Sequence, residues 1–303
     1  MDNIIILFVC LLLGIFLKKV KVFPDNAHIT LNHFIIYVCL PALSLVYIPE
    51  VEINPQILFP VCVVYILFIM GFIFISAVGK LLKFDRATIG ALILTCGFAN
   101  TSFVGFPFLK MFFGEQSLRI GIVIDQSGSF IAVTTLGIFT ASYFASSTPS
   151  AKEIFKKILQ FPPFYSFIAA LLVKFLNIPI SPLVKDIFQK LGSPIFILAL
   201  VSVGMQLDFN FKGIKFSELF TGLFYKLALG PLIIFVLYVL IFKGSGETVQ
   251  ISIIESAMGP MVTGAILATN YNLNPKLVGI VTGLGIILSF GTVMVWYGVT
   301  KGI

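Results

Sequence analysis

Gly97-Phe98-Ala99-Asn100-Thr101-Ser102-Phe103-Val104-Gly105-Phe106-Pro107 breaks an otherwise apolar run, 88–112. Proline removes a backbone donor and clashes with the preceding turn. Glycine lets the chain turn sharply. A second run, 249–270, is broken in the same way by Glu255-Ser256-Ala257-Met258-Gly259-Pro260-Met261-Val262-Thr263-Gly264. Open backbone at bilayer depth is tolerated only inside protein or beside a watery cavity. Each break leaves a half-helix N-terminus with free N–H groups and a partial positive charge. Two such ends meeting near the midplane would make an anion site. The broken spans also present carbonyls that can hold a cation. A lone Gly/Pro pair more often just kinks a helix for packing. Two breaks among polar residues, in matching runs, argue for function.

Working outward, the composition demands a membrane. Of 303 residues 58% are hydrophobic and only 11% are charged. A soluble domain carries about 25% charged residues, so a water-facing shell cannot be built. That excludes an ordinary soluble enzyme, a disordered chain and a nucleic-acid reader. A spanning helix needs about 20 mostly apolar residues. Runs at 3–18, 29–48, 57–79, 88–112, 119–142, 162–178, 185–207, 220–242, 249–270 and 276–298 predict ten spans. They are continuous and rich in Leu, Ile and Phe, unlike the alternating strands of a transmembrane barrel.

The net charge of +7 fits basic cytoplasmic loops. With the N-terminus outside, the inner segments hold Lys18, Lys19, Lys21, Lys80, Lys83, Arg86, Lys152, Lys156, Lys157, Lys212, Lys215 and Lys276. The outer segments hold only Lys110, Arg119, Lys174, Lys185, Lys243 and Lys301. The bias predicts that both termini lie outside the plasma membrane. Met1-Asp2-Asn3 has no basic region ahead of the first apolar run, so a signal peptide is not expected. The longest connection, 143–161, would be cytoplasmic and would divide the chain into five-span halves, 1–142 and 162–303. An odd number of spans per half inverts one half relative to the other, a common transporter plan.

A charge within a span is expensive and usually functional. Asp125, in Asp125-Gln126-Ser127-Gly128-Ser129, and Glu255 are candidate proton or cation sites. Each could equally brace a broken helix as a hydrogen-bonded strut. Lys226 reads as a snorkelling lysine near the start of the eighth span. His28 and His33 read as interfacial, and Trp296 with Tyr297 as an outer anchor. Asn32 and Pro41 are a weaker polar-plus-break pattern. Cys10, Cys39, Cys62 and Cys96 sit far apart in apolar runs and read as free core thiols. No metal site or cofactor is expected. The chain has no P-loop Lys-Ser or Lys-Thr, no His-Glu-x-x-His and no Gly-x-Ser-x-Gly, so neither ATP-driven transport nor an enzyme is expected.

The chain resembles the auxin efflux carrier family, with its plant PIN-type and bacterial malonate-type members. The resemblance rests on Leu31-Asn32 with Leu40-Pro41-Ala42-Leu43, on Ala99 through Pro107, and on Glu255 through Pro260. Ala268-Thr269-Asn270-Tyr271-Asn272-Leu273-Asn274-Pro275 adds to it. It implies an inverted five-plus-five repeat whose broken fourth and ninth spans cross between a scaffold and a transport domain. It further implies organic anions moved by an elevator-like motion. Carried over, Asn100, Thr101 and Pro107 form one half of the crossing, Met258 and Pro260 the other. The family often has two prolines at the ninth-span break; here Gly259 takes the first place. The long hydrophilic loop of plant members is missing, so auxin itself is a poor fit. A more distant similarity to bile acid and sodium symporters suggests a sodium site at Glu255 and Asn100, with the hydroxyls of Ser127 and Ser129.

The expectation is an all-α secondary carrier of a small mono- or dicarboxylate, such as malonate or malate. Its carboxylate would lie near Ser102–Gly105 and Pro260–Thr263, coupled to a proton or sodium ion. An anion channel and a non-transporting sensor are the alternatives. A homodimer stays open.

Overall fold

A computed structural model describes residues 2–21, 23–24, 26–52, 54–145, 162–207 and 213–303. Most of the expected central connection, with Lys152, Lys156 and Lys157, lies outside the described residues, as does Lys212. The described residues are helical throughout, with one isolated β-bridge and no strand. We number the helices α1 Asp2–Lys19, α2 Ala27–Glu50, α3 Pro55–Leu81, α4 Arg86–Cys96, α5 Thr101–Phe113 and α6 Glu115–Phe144. There follow α7 Pro162–Phe175, α8 Pro182–Gln206, α9 Phe216–Ile241, α10 Glu247–Ser256, α11 Val262–Asn270 and α12 Pro275–Thr300.

Six of these, α2, α3, α6, α8, α9 and α12, are long and apolar enough to cross a membrane. The 14-residue α7 spans only about 21 Å at 1.5 Å per residue. The two runs read as broken form the pairs α4–α5 and α10–α11. Leu12, Phe16, Ile73, Leu240 and Val295 stand exposed on helix faces. Apolar faces of this kind fit lipid as solvent.

Local chemistry sets the helix starts. Asp85 accepts a hydrogen bond from the Thr88 N–H at the head of α4 (2.7 Å). Ser181 and Asn274 cap α8 and α12, each followed by a proline at the first helical position. Three helices widen into a π-turn just before an internal proline: Ile35–Cys39 before Pro41, Thr101–Gly105 before Pro107, and Tyr225–Leu229 before Pro231. A missing N–H leaves a carbonyl one turn back without its donor. At Pro231 that carbonyl belongs to Leu227, and the Trp296 indole N–H donates to it at 3.1 Å. Trp296, expected as an interfacial anchor, thus spends its polar atom inside the protein.

Packing sorts the helices into two groups. In one, α1 and α2 pack on α8, and α7 on α2. In the other, α3 packs on α4, α6, α9 and α10, while α4 also packs on α11 and α12. The Thr101–Gly105 turn of α5 touches α8 across the boundary. All four cysteines are free.

Candidate functional site

The two breaks meet. Ala99 and Pro260 form the isolated antiparallel bridge of the fold. The Asn100 N–H donates to the Gly259 carbonyl (3.0 Å), and the Met261 N–H to the Thr95 carbonyl (3.0 Å). These bonds satisfy backbone groups that each broken helix leaves open, as burial requires. α5 and α11 both begin at this bridge, so two helix N-termini lie side by side. The approach is close: a Cβ on Gly264 would stand 2.0 Å from the Leu94 carbonyl oxygen.

Around the bridge, polar side chains are buried. Asn100 is 2% exposed and its side-chain N–H2 has no partner. Thr101 donates to Asp125 Oδ1 (2.7 Å) and lies 3.0 Å from the Ser129 hydroxyl. Asp125 on α6 therefore holds the first turn of α5. Glu255, on the last turn of α10, is fully buried, and neither of its oxygens has a hydrogen-bond partner. Its carboxylate lies against Gly105, where an added Cβ would be 2.5 Å from both oxygens. Asp125 and the Lys226 ammonium, bonded to the neighbouring Ser256 carbonyl, are charged groups near Glu255.

Of the residues singled out in the sequence, Asn100, Thr101, Ser102, Gly105, Asp125, Ser129 and Glu255 gather at the crossing, with Gly259 and Pro260 in its bridge. Met258 and Pro107 are buried beside it in sequence. Others go elsewhere. Ser127 returns its hydroxyl to the Val123 carbonyl (2.6 Å), and Tyr65 donates to the Ser127 carbonyl, so it does not join Ser129. Gln126 donates to Ser44 on α2. Asn32 accepts from Ser202 on α8 (2.5 Å). Thr263 is exposed.

Lys226 corrects the sequence reading. It is fully buried, and its ammonium donates to the Ser256 carbonyl at 2.9 Å. α9 starts at Phe216, earlier than the expected 220, which sets Lys226 about 15 Å into the helix. A snorkelling lysine cannot reach an interface from there.

A cavity of about 300 Å3 adjoins the crossing. It follows α11 from Val262 to Asn270, between α12 on one side and α1, α2 and α8 on the other. Lys18, His28, Gln206, Thr269, Asn270 and Thr282 supply its polar lining. The Thr282 hydroxyl is buried without a partner. Asn100, Asp125 and Glu255 do not line it. Among the described residues, no group of three or more His, Cys, Asp or Glu side chains could hold a metal ion.

A family described as "Membrane transport protein" matches residues 1–297. The chain is 27% identical over 289 residues to an uncharacterized transporter of Methanocaldococcus jannaschii, covering 92% of this chain and 91% of the relative. It is 26% identical over 302 residues to an uncharacterized transporter of Methanothermobacter thermautotrophicus, covering 97% and 96%. The match spans both broken helices, and the buried polar crossing and lipid-type surface are what a solute carrier needs. The chain belongs to the membrane transport protein family, that of the auxin efflux carriers, and is a membrane transporter.

Proposed function

We propose that the protein is a secondary carrier of small organic anions, mono- or dicarboxylates such as malonate or malate, working by alternating access. One observation carries this reading: two helix N-termini meet at a buried bridge among hydroxyl and amide donors. N-termini attract carboxylates, and Asn100, with its unused N–H2, can donate to one. Thr101 is already spent on Asp125, which makes it a brace of the α5 turn as much as a ligand.

The ten runs would be two inverted five-span halves, with both termini outside and the 143–161 connection in the cytoplasm. The group α1, α2, α7 and α8 would serve as scaffold and the other group as the moving body. The cavity beside α11 is then the access route, and Lys18 at its mouth draws anions towards the crossing. Its size suits a short-chain acid.

An anion bound near Ser102–Gly105 would lie close to the Glu255 carboxylate. Like charges in a low dielectric repel strongly. Binding therefore requires a proton or a cation at Glu255, which couples the anion to that ion. Asp125 is less suited to this role, because its Oδ1 already holds Thr101. The sodium-coupled alternative would use Glu255 and Asn100; the Ser127 hydroxyl is bonded to the Val123 carbonyl of its own helix.

The test is uptake of labelled malonate and malate into proteoliposomes, with sodium and pH gradients imposed separately. Saturable uptake driven by a pH gradient alone is expected. Dependence on sodium would move the coupling to the symporter type. Current that does not saturate would identify a channel, and binding without flux a sensor. No saturable flux or binding of either acid would remove the substrate class.

A further inference from the structure

Lys226 is a buried charge that the carrier reading leaves unused. A lysine and a glutamate with no water access are tolerated in a bilayer only when something compensates them. Both are fully buried here. The Lys226 ammonium has three N–H groups, and one of them is bonded to the Ser256 carbonyl, next in sequence to Glu255. Glu255 has two oxygens and no donor. Lys226 also sits on the π-turn Tyr225–Leu229, which Pro231 and the Trp296 indole hold open. Turns of this kind are frequent at functional sites. Asp125, near Glu255, carries a charge of the same sign.

We propose that Lys226 is the built-in counter-charge of Glu255, an ammonium fixed on α9 that does the work a bound sodium ion would otherwise do at the crossing. The ammonium anchors on the carbonyl end of α10, where the helix dipole is negative, on the residue next to Glu255 and without a direct ion pair to its carboxylate. With Lys226 in place, Asp125 and Glu255 together keep one net negative charge. One proton neutralises that charge, so the crossing has no need of sodium. This rests on the carrier reading for its consequence in coupling, but the charge pairing itself does not depend on transport.

The test is a double-variant cycle read by thermal unfolding of the purified full chain in detergent, in sodium chloride and in choline chloride. Lys226→Met leaves Glu255 buried beside Asp125 alone, and a Tm loss of about 5–10 °C is expected. Glu255→Gln should remove most of that loss when added to Lys226→Met, because the uncompensated charge is gone. Lys226→Arg should keep more of the stability than Lys226→Met. The wild-type Tm should be the same in both salts, whereas Lys226→Met should gain from sodium. If the double variant is no more stable than Lys226→Met, Lys226 serves only its Ser256 hydrogen bond and the pairing is wrong. A Tm rise of the wild type in sodium would also overturn it. Should Lys226→Met not fold, its rescue by Glu255→Gln still decides the matter. Absence of malonate or malate uptake would count against the carrier reading and leave the outcome of the cycle intact.

Discussion

A methyl group on Gly105 would stand 2.5 Å from both oxygens of Glu255, inside any real contact distance. Either the carboxylate must swing away or the first turn of α5 must move, and Asp125 holds that turn through Thr101. Overpacking of this kind costs about 1–3 kcal/mol. Gly105→Ala should therefore lower Tm by several degrees and cut anion uptake at least tenfold, about 1.4 kcal/mol or more in the transport barrier. Glu255→Asp, one methylene shorter, should restore part of the lost Tm when combined with it. A Gly105→Ala protein with unchanged Tm and uptake would remove Glu255 from the α5 turn. The sequence carried Gly105 and Glu255 as separate signals, a break and a charge. Their contact joins residues 150 positions apart, and no spacing rule reaches that far. Ser127 parts from Ser129 for the opposite reason. Ser127 and Ser129 look alike in sequence, yet two residues along the π-turn Ile124–Phe130 point their side chains to nearly opposite sides. One hydroxyl meets Thr101 and the other returns to its own backbone.

At the scale of the element, the breaks were legible because proline and glycine act locally. Their meeting was not, since the bridge between Ala99 and Pro260 is long-range. Lys226 was misplaced by four residues of helix: the apolar run begins at 220, but α9 begins at Phe216. Hydropathy marks where a run becomes apolar, and it is blind to amphipathic first turns such as Phe216-Ser217-Glu218. The crossing makes its own prediction. The bridge uses the N–H groups of Asn100 and Met261, so Pro260 contributes its missing donor and its ring. A Cβ on Gly285 of α12 would stand 2.5 Å from that ring, which shows how closely α12 backs it. Pro260→Ala restores an N–H and lets α10 wind on towards α11. It should leave Tm within about 3 °C, a cost near 1 kcal/mol, and still reduce uptake at least tenfold. Normal uptake by a folded Pro260→Ala protein would show that the break is there for packing.

At the scale of the whole molecule, the proposed alternating access would have the two packing groups slide past each other, and contacts across their boundary would then set the barrier. One such contact is ionic. Glu50, at the end of α2, pairs with Lys185 on α8 and with Arg119 on α6 (2.5 Å). α2 and α8 lie in one group and α6 in the other. The pair to Arg119 would have to open if the groups part, while the pair to Lys185 would not. All three side chains are partly exposed, which holds such pairs to about 1 kcal/mol or less. Glu50→Gln should thus shift Tm by only a few degrees, yet speed exchange of labelled anion by up to about fivefold if opening at this end limits turnover. Lys185→Gln, within one group, should leave the exchange rate unchanged. Raising the salt from about 50 to about 500 mM should speed the wild type and leave Glu50→Gln flat, because screening weakens only the pair that is present. Equal effects of Glu50→Gln and Lys185→Gln would place the moving boundary elsewhere, with α2, α6 and α8 travelling together.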